Sequence, residues 1–232
     1  MMVKYRYELK FLITTIEYQE LRNVLRTIMI PDPHAGINGE YNIWSLYMDD
    51  IYRTAYKEKL DGIEIRKKYR IRIYDCSEKV ISLECKYKNG PYIYKESVRL
   101  SGEEYKKMLQ CDYCFLLQKD SQVAKEFYVD TRTNLIKPHV IVEYDREPYV
   151  DMVGNVRIPF EKNVRAAEPY DDMFLKKIPS YAVFSPGELI LEVKYTGVLP
   201  EKIRKIFQSY SFVQTSASKF CLCADKLQHT LR

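Results

Sequence analysis

Residues 63–75, which read IEIRKKYRIRIYD, predict the fold of this chain more strongly than any other stretch. In an extended strand, successive side chains point to opposite faces of the sheet. The even positions of this segment are polar and mostly cationic: Glu64, Arg66, Lys68, Arg70, Arg72 and Tyr74. The odd positions, apart from Lys67, are aliphatic or aromatic until the closing aspartate. We therefore predict a half-buried strand with a row of cations along one face.

The same alternation recurs in five other segments, where polar residues share one face and apolar residues the other. They are residues 5–12 with Arg6, Glu8 and Lys10; 80–88 with Ser82, Glu84, Lys86 and Lys88; 139–147 with Tyr144 and Arg146; 155–161 with Arg157 and Glu161; and 188–195 with Glu192 and Lys194. Strands over residues 43–48 and 92–100 complete a predicted set of seven or eight, joined as antiparallel hairpins. Asn89-Gly90 is a strong signal for one of these hairpins.

Amphipathic helices are predicted between the strands. Thr14 to Glu17 forms a capping box before a helix with an apolar stripe, and Ser101 with Glu104 opens a second helix in the same way. Further helices are predicted over residues 52–60, 122–128, 200–210 and 216–227.

Strands of this kind allow two architectures. A conventional barrel or sandwich buries the aliphatic residues in its middle and leaves the charges in water. In the inverted arrangement the charges line a wet tunnel, and helices cover the aliphatic outer face. The apolar stripes of the helices need such a face, and crowded cations persist where a bound anion offsets their repulsion or water screens it. We therefore favour the inverted arrangement, of the α+β class, in a single domain spanning residues 1–232.

Composition limits the classes of function. Of 232 residues, 46% are hydrophobic and 30% charged, as in soluble globular proteins. The net charge of +5 is too small for indiscriminate binding of polyanions. The basic residues alternate with aliphatic residues instead of exposed aromatic ones, which disfavours nucleic-acid binding. No apolar run approaches the roughly 18 residues of a membrane span, and the N-terminus lacks a signal-peptide core, so we expect a cytoplasmic protein.

Six cysteines leave two interpretations open. Cys111 and Cys114 have the spacing of a zinc knuckle or a redox motif, and Cys221 with Cys223 could complete a zinc site. No pair of histidines supports that site, so reduced and partly buried thiols are the other interpretation.

Six motifs occur in an order that resembles a known family. RYELK, KYRIRIYD, SLECKYK, VEYDREPYV, LEVKYTG and SASKFCLC, between Arg6 and Cys223, resemble the VTC-type polyphosphate polymerase domain of the triphosphate tunnel metalloenzymes, which include the CYTH proteins. The resemblance implies an eight-stranded antiparallel β tunnel, closed as a barrel, with a polar basic interior and flanking helices. It also implies an enzyme that uses Mn²⁺ or Mg²⁺ to transfer the terminal phosphoryl group of ATP to a growing polyphosphate chain.

The resemblance also assigns roles to residues. It implies that catalysis involves Arg70, Arg72, Lys86, Arg146 and Lys219, and that Lys10, Tyr144 and Ser218 bind substrate. Glu192 matches the metal-binding glutamate of a late strand. Glu8 is either a second metal ligand or a salt-bridge partner of Lys10.

Two positions depart from the family pattern. Arg6 stands where the related CYTH triphosphatases and cyclases carry the first glutamate of Glu-x-Glu-x-Lys, which favours the polymerase branch over the triphosphatase branch. Ser216 stands where the yeast-type polymerase has a lysine, which predicts a less basic exit path and puts processivity in doubt.

Three functions fit these observations. Besides a polymerase, the chain could be a tripolyphosphate or nucleoside-triphosphate hydrolase, or a non-catalytic module that binds polyanions. ATP and polyphosphate are the expected partners. The chain has no membrane segment of its own, which leaves room for a separately encoded membrane partner.

Overall fold

The computed structural model of the chain describes residues 6–230. Its strands are β1 (Tyr7–Thr14), β2 (Ile30–Pro31), β3 (Tyr41–Asp49), β4 (Ile65–Tyr74), β5 (Ser77–Asn89), β6 (Tyr92–Leu100), β7 (Lys137–Asp151), β8 (Val156–Ala167), β9 (Ser180–Ala182) and β10 (Glu188–Tyr195). Its α-helices are α1 (Thr15–Ile28), α2 (Thr54–Leu60), α3 (Gly102–Leu109), α4 (Gln122–Thr133), α5 (Glu201–Gln208) and α6 (Lys219–Thr230). A 3-10 helix covers Cys114–Gln118. Tyr5, placed in the first predicted strand, lies outside the described residues.

The strands form one antiparallel sheet. Its order is β1-β10-β8-β7-β3-β4-β5-β6, and the two short strands pair at the side, β2 with β7 and β9 with β8. The prediction of an antiparallel sheet with flanking helices is therefore confirmed. The residue pattern could not reveal β2 and β9, because two or three residues are too few to show an alternation.

The prediction of a closed eight-stranded barrel was wrong in two respects. The sheet has ten strands within residues 6–230, and in this range the backbone pairing between its edges β1 and β6 is a single bridge from Arg6 to Ile93, with two N···O distances of 3.2 Å. Farther along β1, where β6 no longer pairs with it, the residues just before α6 pair with β1 instead. The Thr215 N–H donates to the Lys10 carbonyl at 2.8 Å, and Gln214 forms a bridge with Phe11.

Helices cover the apolar outer face of the sheet, as the sequence predicted. On one side, Tyr69, Ile71 and Leu83 of β4 and β5 pack with residues of α3, the 3-10 helix and α4, of which Phe127 is fully buried. On the other side, apolar residues of β1, β8 and β10 pack with α1 and α5, for example through Leu21.

One helix packs on the inner face of the sheet, which the sequence did not predict. Phe220 and Cys223 of α6 are buried against Ile43 of β3 and Val142 of β7, in a cluster that also contains Tyr144. The inner face accepts this helix because it is apolar where β3, β7 and β8 carry aliphatic residues. As a result, the start of α6 lies against the polar part of that face.

Several local predictions are confirmed. Thr14 caps α1 and Ser101 caps α3, each in a capping box with the glutamate three residues later. The predicted closing helix begins at Lys219 instead of Ser216, because the residues before it pair with β1. Among the described helices, none has the length and apolar character needed to span a membrane.

The cysteines are separated in the fold. Cys111 and Cys114 are exposed beyond the end of α3, whereas Cys221 and Cys223 are buried in α6. Within residues 6–230, no group of three or more His, Cys, Asp or Glu side chains has a metal-binding arrangement.

Candidate functional site

The inner face of the sheet encloses a polar cavity of about 490 Å³. Side chains from β1, β3 to β8 and β10 line it, together with the start of α6. All ten residues that the family resemblance assigned to the site line this cavity: Glu8, Lys10, Arg70, Arg72, Lys86, Tyr144, Arg146, Glu192, Ser218 and Lys219. The structure therefore brings the predicted set together, while the role of each residue stays a prediction.

The arginine pair of β4 is held by a buried carboxylate. Arg70 donates through Nε to Glu84 Oε2 at 2.8 Å and through Nη1 to the Tyr47 hydroxyl at 3.0 Å. Arg72 donates to the Ser45 hydroxyl and the Tyr144 hydroxyl, each at 3.2 Å, and its Nη1 lies 3.9 Å from Glu84. Burial by itself raises the pKa of Glu84, but the charges of Arg70, Arg72 and Lys95 outweigh it and hold the pKa far below its usual range. Glu84 is thus ionised and fixes both guanidinium groups.

A second buried carboxylate joins β7 to α6. Glu161, which is fully buried, binds both Arg146 Nη2 and the Lys219 ammonium. Arg146 also donates to the Tyr144 hydroxyl at 3.0 Å. Burial and the neighbouring Glu192 raise the pKa of Glu161, yet Lys219 and Arg146 outweigh them and lower it. Burial lowers the pKa of Lys219, but Glu161 and Glu192 reverse that effect and raise it.

A third cluster alternates charges across β1 and β10. Lys10 lies opposite Glu192 in the strand register, and Glu8 lies opposite Lys194. Glu8 is 3.0 Å from Lys86 and 3.5 Å from Lys10, and Glu192 is 3.4 Å from Lys10 and 3.0 Å from Lys219. The predicted salt bridge between Glu8 and Lys10 is therefore present, along with a shorter one to Lys86.

Cations remain in excess after these ion pairs. In the described part of the chain, eleven cationic side chains line the cavity, against lining carboxylates of Glu8, Asp75 and Glu192 and the supporting carboxylates of Asp32, Glu84 and Glu161. Buried polar atoms of four lining residues also lack a hydrogen-bond partner within residues 6–230, namely Nε of Arg6, Arg146 and Arg157 and Oγ of Ser218. Buried donors are costly to leave unpaired, so the cavity is suited to bind an anion with several oxygens.

A second compartment of about 450 Å³ continues from the cavity. Both share Glu8, Lys10, Lys68, Lys86 and Ser218, and the compartment adds cations of α2, β4 and β5: Lys59, Arg66, Lys67 and Lys88. Among the described residues, Lys67 has acidic partners in Glu126 and Asp130, whereas the salt bridges do not include Lys59, Arg66, Lys68 or Lys88. Burial and the nearby Arg66 lower the pKa of Lys59 and Lys88. Ser216, which stands where the yeast-type polymerase has a lysine, lines this compartment as well. The compartment is therefore basic although this position carries no lysine.

Sequence reasoning missed two residues that organise the site. Glu84 and Glu161 were placed on the polar faces of their strands but were given no role. The available signal was their position: an acid on a face of cations is expected to pair with them. Which cations it pairs with depends on strand order and register, which the alternation does not determine.

The predicted metal ligands, Glu8 and Glu192, are both ionised in the cavity. Burial raises the pKa of Glu8 and Glu192, but surrounding lysines outweigh it and hold both pKa values well below their usual range, so both are carboxylates at neutral pH. Residues 6–230 contain no cluster of three His, Cys, Asp or Glu side chains that could hold a metal ion. The carboxylates fit a divalent cation that also binds phosphate oxygens, since Mg²⁺ commonly takes one or two carboxylates plus phosphates.

Comparison with known proteins identifies a family and a shared fold. The family model of the VTC domain matches residues 5–228. No curated protein matches this sequence. Among solved structures, a candidate adenylate cyclase from Bacillus halodurans has a TM-score of 0.56 at 14% identity, with 100% of both chains covered.

Two further structures share this fold. A candidate adenylyl cyclase from Hippeastrum, for which a dominant triphosphatase activity is reported, has a TM-score of 0.56 at 11% identity, with 96% of both chains covered. A protein from Pyrococcus horikoshii OT3 has a TM-score of 0.50 at 14% identity, with 96% of this chain and 99% of that chain covered. At such identities the similarity shows the fold alone.

Replacing Glu161 with glutamine should destabilise the protein. Arg146 and Lys219 would then be buried beside a neutral amide, and removal of one partner from a buried ion pair costs about 3–5 kcal/mol. Urea unfolding of wild type and Glu161→Gln measures this loss. Glu126→Gln is the control, because its ion pair with Lys67 is partly exposed and should contribute about 1 kcal/mol or less. Equal, small effects of the two substitutions would contradict the organising role of Glu161.

Proposed function

We propose, since this chain belongs to the VTC domain family, that it is a metal-dependent polyphosphate polymerase, which transfers the terminal phosphoryl group of ATP to a growing polyphosphate chain. The observation that carries the proposal is the inner cavity, where cations outnumber carboxylates and buried donors lack partners. Its fold, shared with CYTH-like triphosphate tunnel proteins, also supports a substrate with linked phosphates.

The arginines and Lys219 would bind the phosphate groups. A guanidinium group can grip two oxygens of one phosphate, and Arg70, Arg72 and Arg146 are held in fixed directions by buried carboxylates and tyrosine hydroxyls. Lys219 would add charge at the start of α6, where the first backbone N–H groups of a helix would also favour anions. Together these groups can orient the donor and stabilise charge on the transferred phosphoryl group.

The acceptor needs little activation by the protein. The end of a polyphosphate chain is already ionised at neutral pH, so it can attack without a strong general base. Positioning and charge neutralisation are the main requirements of phosphoryl transfer. The cavity side chains are suited to both tasks.

Glu192, with Glu8 as a second candidate, would hold the divalent cation together with phosphate oxygens. When bound, Mn²⁺ or Mg²⁺ would neutralise charge on the phosphate groups. Lys10 and Lys219 touch Glu192 and would compete with the cation or shift toward the substrate when it binds.

The second compartment supports a polymerase over a hydrolase. Within residues 6–230, Lys59, Arg66, Lys68 and Lys88 of this compartment form no salt bridge, and they offer a path for a second, extended polyanion in contact with the first. A hydrolase needs space only for one phosphate chain and water. Arg6 at the position of a CYTH metal-binding glutamate favours the polymerase as well.

Hydrolysis of triphosphates is the second candidate function. The Hippeastrum protein with reported triphosphatase activity shares the fold of this chain, and in this chain the ionised carboxylates of Glu8 and Glu192 face the cavity. If water attacked the terminal phosphoryl group in place of the acceptor phosphate, the same cavity side chains would support hydrolysis.

Product analysis tests the proposed function. The protein is incubated with ATP and Mn²⁺, and the products are separated on a polyacrylamide gel. We expect a polyanion that lengthens with time while ATP is consumed. Release of orthophosphate without a polymer would instead identify a hydrolase. Binding of added polyphosphate without consumption of ATP would identify a non-catalytic binding module.

Arg146→Lys should separate phosphate binding from folding. The lysine keeps a positive charge near the buried Glu161 but loses the planar fork, so we expect kcat to fall about 10²-fold with little change in unfolding. Steady-state kinetics and urea unfolding of the same preparation measure both. Arg132→Lys, on the exposed side of α4, is the matched control and should keep wild-type kinetics. An unchanged kcat in Arg146→Lys would remove Arg146 from the site.

Glu192→Gln should weaken metal activation. We expect the Mn²⁺ concentration for half-maximal activity to rise roughly tenfold, because the amide is a poorer cation ligand than a carboxylate. Glu188→Gln on the same strand is the control, since its side chain binds the Ser185 backbone N–H at 3.1 Å. An identical metal titration in wild type and Glu192→Gln would exclude Glu192 as a ligand.

A further inference from the structure

Tyr47 is a cavity residue to which neither the family motifs nor the mechanism above assigns a role. It lies on β3 directly opposite Arg70 of β4, and its side chain lines the cavity although only 4% of the residue is exposed. Tyrosine hydroxyls in buried positions usually have hydrogen-bond partners, so the partners of this hydroxyl are informative.

The ring of Tyr47 is fixed from two sides. Phe220 of α6 stacks against it with a centroid distance of 5.0 Å and an interplanar angle of 26°. The Lys68 ammonium lies 5.5 Å from the ring centroid. This packing leaves the hydroxyl beside Arg70 and gives it little freedom to turn away.

The hydroxyl has one partner in the described structure. It accepts a hydrogen bond from Arg70 Nη1 at 3.0 Å, which uses its oxygen and not its proton. Within residues 6–230 it has no acceptor for that proton. A neutral Tyr47 therefore has an unused O–H donor beside a guanidinium group that also faces the cavity.

We infer that Tyr47 is a further phosphate-binding residue, whose O–H donates to an oxygen of the phosphate group held by Arg70. The inference rests on the proposed phosphate-binding function of the cavity and adds a donor to it. Because only the phenol form has a proton to donate, phosphate binding selects the protonated Tyr47.

The charges around Tyr47 bring the pKa of its hydroxyl close to neutral pH. Burial raises its pKa, but Arg70, Lys68 and Arg72 of β4 outweigh burial and lower it to about 7. Of the elements around it, α6 contributes Phe220 against the ring and Lys219 in the same cavity, β7 contributes Tyr144, and β5 contributes Glu84, which is ion-paired with Arg70. With a pKa near neutrality, Tyr47 of the free protein is expected to exchange between phenol and phenolate around pH 7.5.

Binding should therefore take up a proton. Each phenolate that becomes phenol takes one proton from the buffer. The phenol keeps this proton and donates it in a hydrogen bond to the phosphate oxygen. Below pH 7 this effect is absent, because Tyr47 is already protonated. Above pH 7 it weakens phosphate binding by up to about tenfold per pH unit. Lys68, whose pKa burial lowers to about 8, also loses charge in this range. A pH profile alone does not separate the two groups.

The near-ultraviolet absorbance of tyrosinate isolates Tyr47. Inorganic tripolyphosphate is titrated at pH 7.5 into the full-length protein without ATP or metal, and binding is measured in parallel by calorimetry in two buffers of different ionisation enthalpy. We expect tripolyphosphate to reduce the tyrosinate absorbance of wild type and to take up protons. Tyr47→Phe should lose both signals, and at pH 6.5 it should bind tripolyphosphate roughly tenfold more weakly, the effect of losing a hydrogen bond to a charged group.

Tyr41→Phe is the matched control. Tyr41 lines the same cavity, but its hydroxyl lies beside Arg157 and not beside Arg70, so Tyr41→Phe should leave the absorbance change of Tyr47 intact. Both substitutions keep the aromatic ring, so the packing against Phe220 is retained in Tyr47→Phe. An absorbance change that persists in Tyr47→Phe, or equal tripolyphosphate affinity of Tyr47→Phe and wild type at pH 6.5, would overturn the role of Tyr47 and leave the proposed function standing. Absence of any tripolyphosphate binding by wild type would overturn both.

Discussion

The charge balance inside the cavity is the constraint on which the rest of the structure depends. Burying an unpaired ion costs several kcal/mol, and eleven cationic side chains line this cavity in the described part of the chain. Glu84 and Glu161, 2% and 0% exposed, make the arrangement possible because each neutralises cations from different elements. They also set the directions of the guanidinium groups. The charge that remains in excess is what a phosphate chain would balance, so folding and binding share one electrostatic requirement.

The outer face of the sheet contributes mainly to folding, and the inner face carries the groups suited to binding. Helices on the outer face bury aliphatic side chains and supply the hydrophobic free energy, which leaves the inner face free to carry polar groups. On the inner face, α6 fills the apolar part and brings Lys219 to Glu161 and Glu192. The residues before α6 pair with β1 where the sheet is not closed, so the same segment completes the wall and positions the helix. A sheet that is wider than the predicted barrel and open at one edge can thus still enclose a site.

Alternation in the sequence grouped the polar side chains on one face of each strand, and the apolar stripes of the helices indicated that this face is the inner one. In β4, for example, the period of two places Arg70 and Arg72 together, and the strand observed from Ile65 to Tyr74 confirms it. The family motifs then selected ten residues, and all of them line the cavity. Both capping boxes were also predictable, since each depends on residues only three positions apart.

Features that depend on long-range contacts were not predictable in this way. The roles of Glu84 and Glu161 follow from strand order and register, and the placement of the Tyr47 ring follows from the position of α6 across the sheet. The gap between β1 and β6 depends on the stagger of the whole sheet, and β2 and β9 are too short to leave a pattern. In each case the deciding partner lies far away in the sequence.

A crystal structure of the protein with bound tripolyphosphate tests the central claim most directly. The account predicts phosphate groups within hydrogen-bond distance of Arg70, Arg72, Arg146 and Lys219, inside the cavity and on the inner face of the sheet. Tripolyphosphate bound only on the outer surface, with these four side chains still paired solely with protein groups, would contradict it.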